Sequence, residues 1–185
     1  GANRCLHLYN GMDPLEQRKV GLAACALIDD RIWVELIPDG IHSHWRMVEL
    51  ACRCKAPEKI VGISNATSAA GLPEGQYEFG DQKIIVHDSR VLLEDKTIAG
   101  SATFLDADYR NLIQHSGLTQ AEAAACCTIN AASSVGVRDC GRLKPGKRAD
   151  IVILNHDHEV QMTLVNGRIA YSRVDQRQLI KQVKA

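Results

Sequence analysis

Two histidines and one carboxamide stand where short apolar runs give way to polar residues. His7 lies in the closing part of the run 5–9, His42 follows the run ending at Ile37, and Asn65 follows Ile63. A neutral imidazole serves as a zinc ligand or as a hydrogen-bond partner for a sugar hydroxyl, and it serves equally well as a satisfied structural group. Position separates the readings. In repeated βα units the strands run parallel and ligands gather at their C-terminal ends. If the three runs are adjacent strands of that kind, His7, His42 and Asn65 open into one mouth.

The elements needed to hold them there are readable. Runs at 5–9, 32–37 and 59–63 alternate with helix-like segments, giving strand, helix, strand, helix, strand. The helix expected at 43–55 has apolar Trp45, Val48, Leu50, Ala51 and Cys52 at near-helical spacing, and Pro57 closes it. A small-residue loop at 66–75 leads to strand-like pieces at 76–86 and 91–93. Helices follow at 107–115 and 119–127, the second opened by Thr119 with Glu122 three residues on, a capping box. A turn-rich stretch at 141–150 feeds a strand at 151–154. A hairpin spans 160–171 about Asn166-Gly167, and a charged tail with helical character ends the chain. No internal repeat is present.

Composition narrows the partners. The chain has 185 residues, 45% of them hydrophobic, enough for a sizeable core. Its 22 basic residues balance 22 acidic ones and are scattered, so no broad field recruits nucleic acid or an anionic membrane. No run approaches the ~20 apolar residues of a membrane helix, and the polar opening Gly1-Ala2-Asn3-Arg4 is unlike a signal peptide. Seven cysteines, an odd number in a chain this long, read as free thiols of a reducing cytoplasm. Cys52-Arg53-Cys54 and Cys126-Cys127 lack zinc-knuckle or CxxC spacing and read as buried helical cysteines.

Several separated strings together resemble one family. His7-Leu8-Tyr9-Asn10-Gly11-Met12, Arg18 ahead of Val20-Gly21-Leu22, and Leu36-Ile37-Pro38-Asp39-Gly40-Ile41-His42 come first. The stretch 65–73, Thr97-Ile98-Ala99-Gly100-Ser101, the stretch 146–153 and Val165-Asn166-Gly167-Arg168 follow in order. The chain thereby resembles the N-acetylglucosamine-6-phosphate deacetylases of the amidohydrolase superfamily across residues 4 to 173. The resemblance implies an α/β fold: a (β/α)8 TIM-like barrel carrying a small β-sandwich, commonly in dimers. A barrel of that kind takes about 250 residues. The expectation is therefore a partial barrel of about strands 6–8 at 1–140, a sandwich remnant at 141–173 and the tail at 174–185.

Carried over by position, the resemblance makes His7 a ligand of a divalent metal, zinc above all. The remaining ligands, a glutamate and an earlier histidine, lie upstream. Asn10 and Gly11 match positions at the sugar phosphate. Arg18 matches an arginine that grips it, a role its planar fork suits. Asp39, Gly40, Ile41 and His42 match one substrate loop, and Ile98, Ala99 and Gly100 match another. Asn65 stands where the family has its catalytic aspartate, which moves a proton between water and the departing amine. A carboxamide does neither, and Ser64 beside it has no base nearby. The implied function is hydrolysis of the acetamide of N-acetylglucosamine 6-phosphate to glucosamine 6-phosphate and acetate, absent or strongly impaired here because of Asn65 and the missing upstream ligands. The alternatives are a non-catalytic sugar-phosphate binder, or a fragment that needs a partner, whether a second copy or the N-terminal half.

Overall fold

A computed structural model describes residues 1–173, so the expected tail at 174–185 lies outside the described residues. The three apolar runs form β1 (Arg4–Cys5), β2 (Trp33–Leu36) and β3 (Ile60–Gly62), parallel and in the order β1-β2-β3. All of β3 and all but Trp33 of β2 are buried. Parallel strands covered on both faces require this, which is why the runs read as continuous rather than alternating. Glu35, the polar exception, pairs with Arg4 Nε at 3.4 Å. The first strand is shorter than the expected 5–9. After Cys5 the chain turns, with His7 and Tyr9 at φ 47° and 77° and the Asn10 N–H donating to the His7 carbonyl at 2.8 Å.

Helix α1 (Leu22–Ile28) buries Ala23, Ala26 and Leu27, and α2 (Trp45–Cys54) buries Val48, Ala51 and Cys52. The outer face of α2 carries Glu49 between Arg46 and Arg53, at 2.6 and 2.7 Å. All seven thiols are free, as expected. Their burial needs a correction. Cys52 and Cys126 are buried and Cys127 partly so, whereas Cys54 is exposed because two residues along a helix bring it to the opposite side. Cys25 is exposed as well.

Lys55, just past α2, is only 2% exposed. Its ammonium donates to the Ala26 carbonyl at 2.9 Å and the Asp29 carbonyl at 2.5 Å, capping groups that α1 leaves over at its C-terminus. Lys55→Met keeps the bulk and strands the Ala26 carbonyl. Urea unfolding is expected to show a loss of about 1–3 kcal/mol, and an unchanged midpoint would refute this account of the α1–α2 contact.

Strands β4 (Gly75–Phe79), β5 (Gln82–His87), β6 (Arg90–Leu93) and β7 (Ile98–Ser101) form an antiparallel meander. The piece expected at 76–86 is thus two strands folded about Gly80, and β7 comes from residues expected as a substrate loop. The meander is stitched to the parallel sheet. The Ser101 N–H donates to the Asn65 carbonyl at 2.9 Å, and the Thr67 N–H donates to the Ser101 carbonyl at 3.2 Å.

Helix α3 (Leu105–His115) follows, then α4 (Gln120–Cys127) with the expected Thr119–Glu122 capping box in place. Thr128, at φ −132° and ψ −91°, breaks the chain before a further helix, α5 (Ile129–Ser134), that the sequence reading lacks. Asn130 anchors α5 by donating to the Pro57 and Ile60 carbonyls at 2.8 and 2.9 Å. Strands β8 (Ile151–Leu154), β9 (Val160–Val165) and β10 (Arg168–Ser172) make the expected antiparallel hairpin sheet, turning at Asn166–Gly167. Among the described residues no helix is long and apolar enough to cross a membrane.

Candidate active site

The ends of β1, β2 and β3 deliver His7, His42 and Asn65 to one side of the parallel sheet. With Asn10, Gly11, Thr97, Ile98 and Ala99 they line a single cleft of about 530 Å³. The Ile98–Ala99 wall reaches it because β7 crosses over Asn65. That crossing is tight: a Cβ on Gly100, at φ 152°, would lie 2.5 Å from Thr67 Cγ2 and 2.9 Å from the Asn65 carbonyl oxygen. Gly100 therefore fixes the height of Asn65 without lining the cleft.

Asp39 orients the second histidine. Its Oδ1 accepts the Ile41 and His42 N–H groups at 2.9 and 2.8 Å, and its Oδ2 meets His42 Nδ1 at 2.7 Å. The side chains of Asp39 and His42 are 1% and 6% exposed. Burial pushes the Asp39 carboxyl up, but the His42 ring and the two backbone donors outweigh it and hold the group below its ordinary value. A carboxylate facing Nδ1 requires the proton on that nitrogen. In the neutral ring Nε2 is then an acceptor, and the Asn65 carboxamide nitrogen, 3.2 Å from it, is placed to donate to it. Asp39, His42 and Asn65 thus form one relay whose far end, the Asn65 Oδ1, is an acceptor. Trp45 braces the loop from beneath, stacked on His115 at 4.1 Å between centroids.

The amidohydrolase family model matches residues 3–170. The chain belongs to the amidohydrolase family. It is similar to the N-acetylgalactosamine-6-phosphate deacetylase of Escherichia coli O157:H7, at 39% identity over 92% of this chain and 45% of that relative. A relative from Escherichia coli strain K12, provisionally described as the same deacetylase, is 39% identical over 89% of this chain and 99% of its own length. A solved structure of an aspartate-to-alanine variant of the Mycobacterium smegmatis N-acetyl-D-glucosamine-6-phosphate deacetylase, in complex with N-acetyl-D-glucosamine 6-phosphate, superposes with a TM-score of 0.85 at 31% identity. It is matched over 91% of this chain and 45% of that one. This amidohydrolase chain therefore spans about half the length of two of these three relatives and nearly all of the third.

Seven of the residues expected at the amidohydrolase site line the cleft: His7, Asn10, Gly11, His42, Asn65, Ile98 and Ala99. Asp39, Ile41 and Gly100 support it from behind. Gly40 lies against the Trp45 ring. Arg18 is not among the lining residues and is exposed in the 13–20 segment, where the neighbouring Lys19 pairs with Asp13 at 2.8 Å. Thr97 lines the cleft without having been singled out, although it opens the Thr97–Ser101 string. Trp45, the first residue of α2, braces the loop through its contact with Gly40.

The described residues do not by themselves fit a metal at His7. Among them only Glu74, His87 and Asp88 bring three such donors together, on the exposed meander and without His7. A second cleft, of about 490 Å³ and lined by Gln120, Leu154, Asn155, His156 and His158, gathers none of the expected residues.

Proposed function

We propose that this chain is a deacetylase-like unit that binds an N-acetyl amino-sugar 6-phosphate and is strongly impaired in hydrolysing it. The observation that carries the reading is the Asn65 carboxamide at 3.2 Å from His42 Nε2. A group that donates to a neutral imidazole binds but does not shuttle protons. A carboxylate in its place would meet the same nitrogen favourably only with a proton on it. Asn65 Oδ1 suits an acetamide N–H, Asn10 and Gly11 suit the phosphate end, and a sugar hydroxyl would reach His42 by taking the place of Asn65 on Nε2. The Mycobacterium smegmatis variant, with one aspartate replaced, holds N-acetyl-D-glucosamine 6-phosphate, which supports binding without turnover here. The relatives divide between glucosamine and galactosamine substrates, so the reading is of the class and not of one epimer.

The architecture proposed for this role makes β1, β2 and β3 the sixth to eighth strands of a (β/α)8 barrel within 1–140, with β8 to β10 at 141–173 in a small β-sandwich. Zinc at His7 would take its remaining ligands from outside the described chain. A homodimer, or a polypeptide supplying the other half of the barrel, would complete the site in the cytoplasm. Arg18, exposed and outside the cleft lining of its own chain, is assigned to the phosphate in the neighbouring subunit's site of that homodimer.

Calorimetric titration with N-acetylglucosamine 6-phosphate and its galactosamine epimer tests the reading. At least one is expected to bind, and Arg18→Ala is expected to weaken it by about tenfold or more through loss of charge-assisted bonds. Equal binding by both proteins would sink the Arg18 assignment, and no binding of either sugar would sink the function.

A further inference from the structure

Asp108 is completely buried, and both its carboxyl oxygens lack a hydrogen-bond partner; among the described residues it is the one side chain left in that state. It shares a face of α3 with Asn111, Leu112 and His115, at spacings of three, four and seven. That face packs on the loop that carries the relay. Asn111 Nδ2 donates to the Pro38 carbonyl at 2.8 Å, and His115 stacks on Trp45. The charge Asp108 faces across this contact is Asp39, whose own oxygens are committed to Ile41 and His42. From its own helix Asp106 and Arg110 face it, but these two pair with each other at 2.9 Å. From α4 the Cys127 thiol faces it, pushed up to about 12 mainly by burial. No donor serves an Asp108 anion, and the charge it faces in the site, Asp39, has the same sign.

We propose that Asp108 is a positioning residue for the site: it stands against the Asp39 loop as the neutral acid, and the proton it carries keeps the Asp39–His42 segment closed. Burial above all, with Asp39 and Asp106 adding to it and Arg110 opposing, pushes this carboxyl up to about 7. When the segment opens and water enters, the group returns to an ordinary carboxylate near ~4. The sign follows from proton counting. The closed form keeps its proton up to about pH 7, while the open form releases it from about pH 4 upward. Opening therefore becomes easier by about tenfold per pH unit across that window and levels off above it. At neutral pH the relay is held less firmly than at pH 5.

The amides of Ile41 and His42, which donate to Asp39, report the opening directly. Hydrogen exchange on the full chain, corrected for the intrinsic pH dependence, is expected to show their protection falling about 100-fold over two pH units between about 4.5 and 6.5. In Asp108→Asn the protection should stay flat over the same range. Equal slopes in the two proteins would overturn the proposal. Should the variant fold poorly, carbon-13 titration of the Asp108 carboxyl in the unchanged chain decides: a midpoint near 7 upholds the proposal, and one below about 5 overturns it. The proposal rests on the sugar-phosphate reading only for its effect on a ligand. Neither experiment contains one, so the two fail separately.

Discussion

Asn65→Asp is expected to raise acetate release from an N-acetylhexosamine 6-phosphate by about 10²- to 10⁴-fold, the usual contribution of a placed general acid–base group. The comparison is best made in a chimera that joins this chain to the share of the Escherichia coli O157:H7 relative it does not span, with zinc supplied. That relative is 39% identical over the matched part, and the chimera removes incompleteness as a rival cause of silence. The geometry favours a gain. The residue 65 side chain already stands in the cleft wall, held by the residue's backbone carbonyl, which accepts the Ser101 N–H at 2.9 Å, and by its carboxamide nitrogen 3.2 Å from the imidazole. The substitution exchanges NH₂ for O at nearly constant shape, so the change lies in proton transfer and not in packing. A chimera equally silent with Asn and Asp would mean that residue 65 is not what limits turnover.

The site was legible where chemistry and topology coincide. His7, His42 and Asn65 follow apolar runs, and a parallel sheet places whatever follows its strands on one side, so three residues far apart in sequence meet in one cleft. The string around Asp39 also carried a local signal: an Asp-Gly turn two and three residues before N–H groups that need an acceptor. Other features depend on contacts that no periodicity encodes. Nothing in Ile98–Ser101 announces a strand, because its ladder partners lie in β6 and its use is to cross Asn65. Helix α5 is six residues long and is held by the Asn130 bonds to the β3 entry, a tertiary anchor rather than a propensity. Asp108 did leave a trace. Leu105, Asp108, Tyr109 and Leu112 fall at helical spacing, so a carboxylate sits in the middle of an apolar stripe. A charged residue on a buried stripe is the sequence mark of a group whose environment must be explained.

Gly40→Ala is expected to cost about 2–5 kcal/mol of stability and to scatter the relay with it. Two independent strains add. Gly40 sits at φ 73°, which an L side chain adopts at a cost of about 1–2 kcal/mol. Its new methyl would lie 2.3 Å from Trp45 Cζ2, an overlap of the kind that costs about 1–3 kcal/mol in a packed interior. The indole cannot swing away freely, because it is stacked on His115. The strain is therefore expected to pass into the loop, between Asp39 on one side of residue 40 and His42 on the other. Denaturant unfolding gives the stability term, and loss of the protected Ile41 and His42 amides gives the displacement of the loop. Gly40→Ala combined with Trp45→Leu separates the causes. Shortening the ring removes the overlap but leaves the backbone cost, so the second change should do less harm in the Gly40→Ala background than alone, a coupling read from a double-mutant cycle. Strict additivity of the two changes would show that the ring and residue 40 are not in the contact on which this explanation depends.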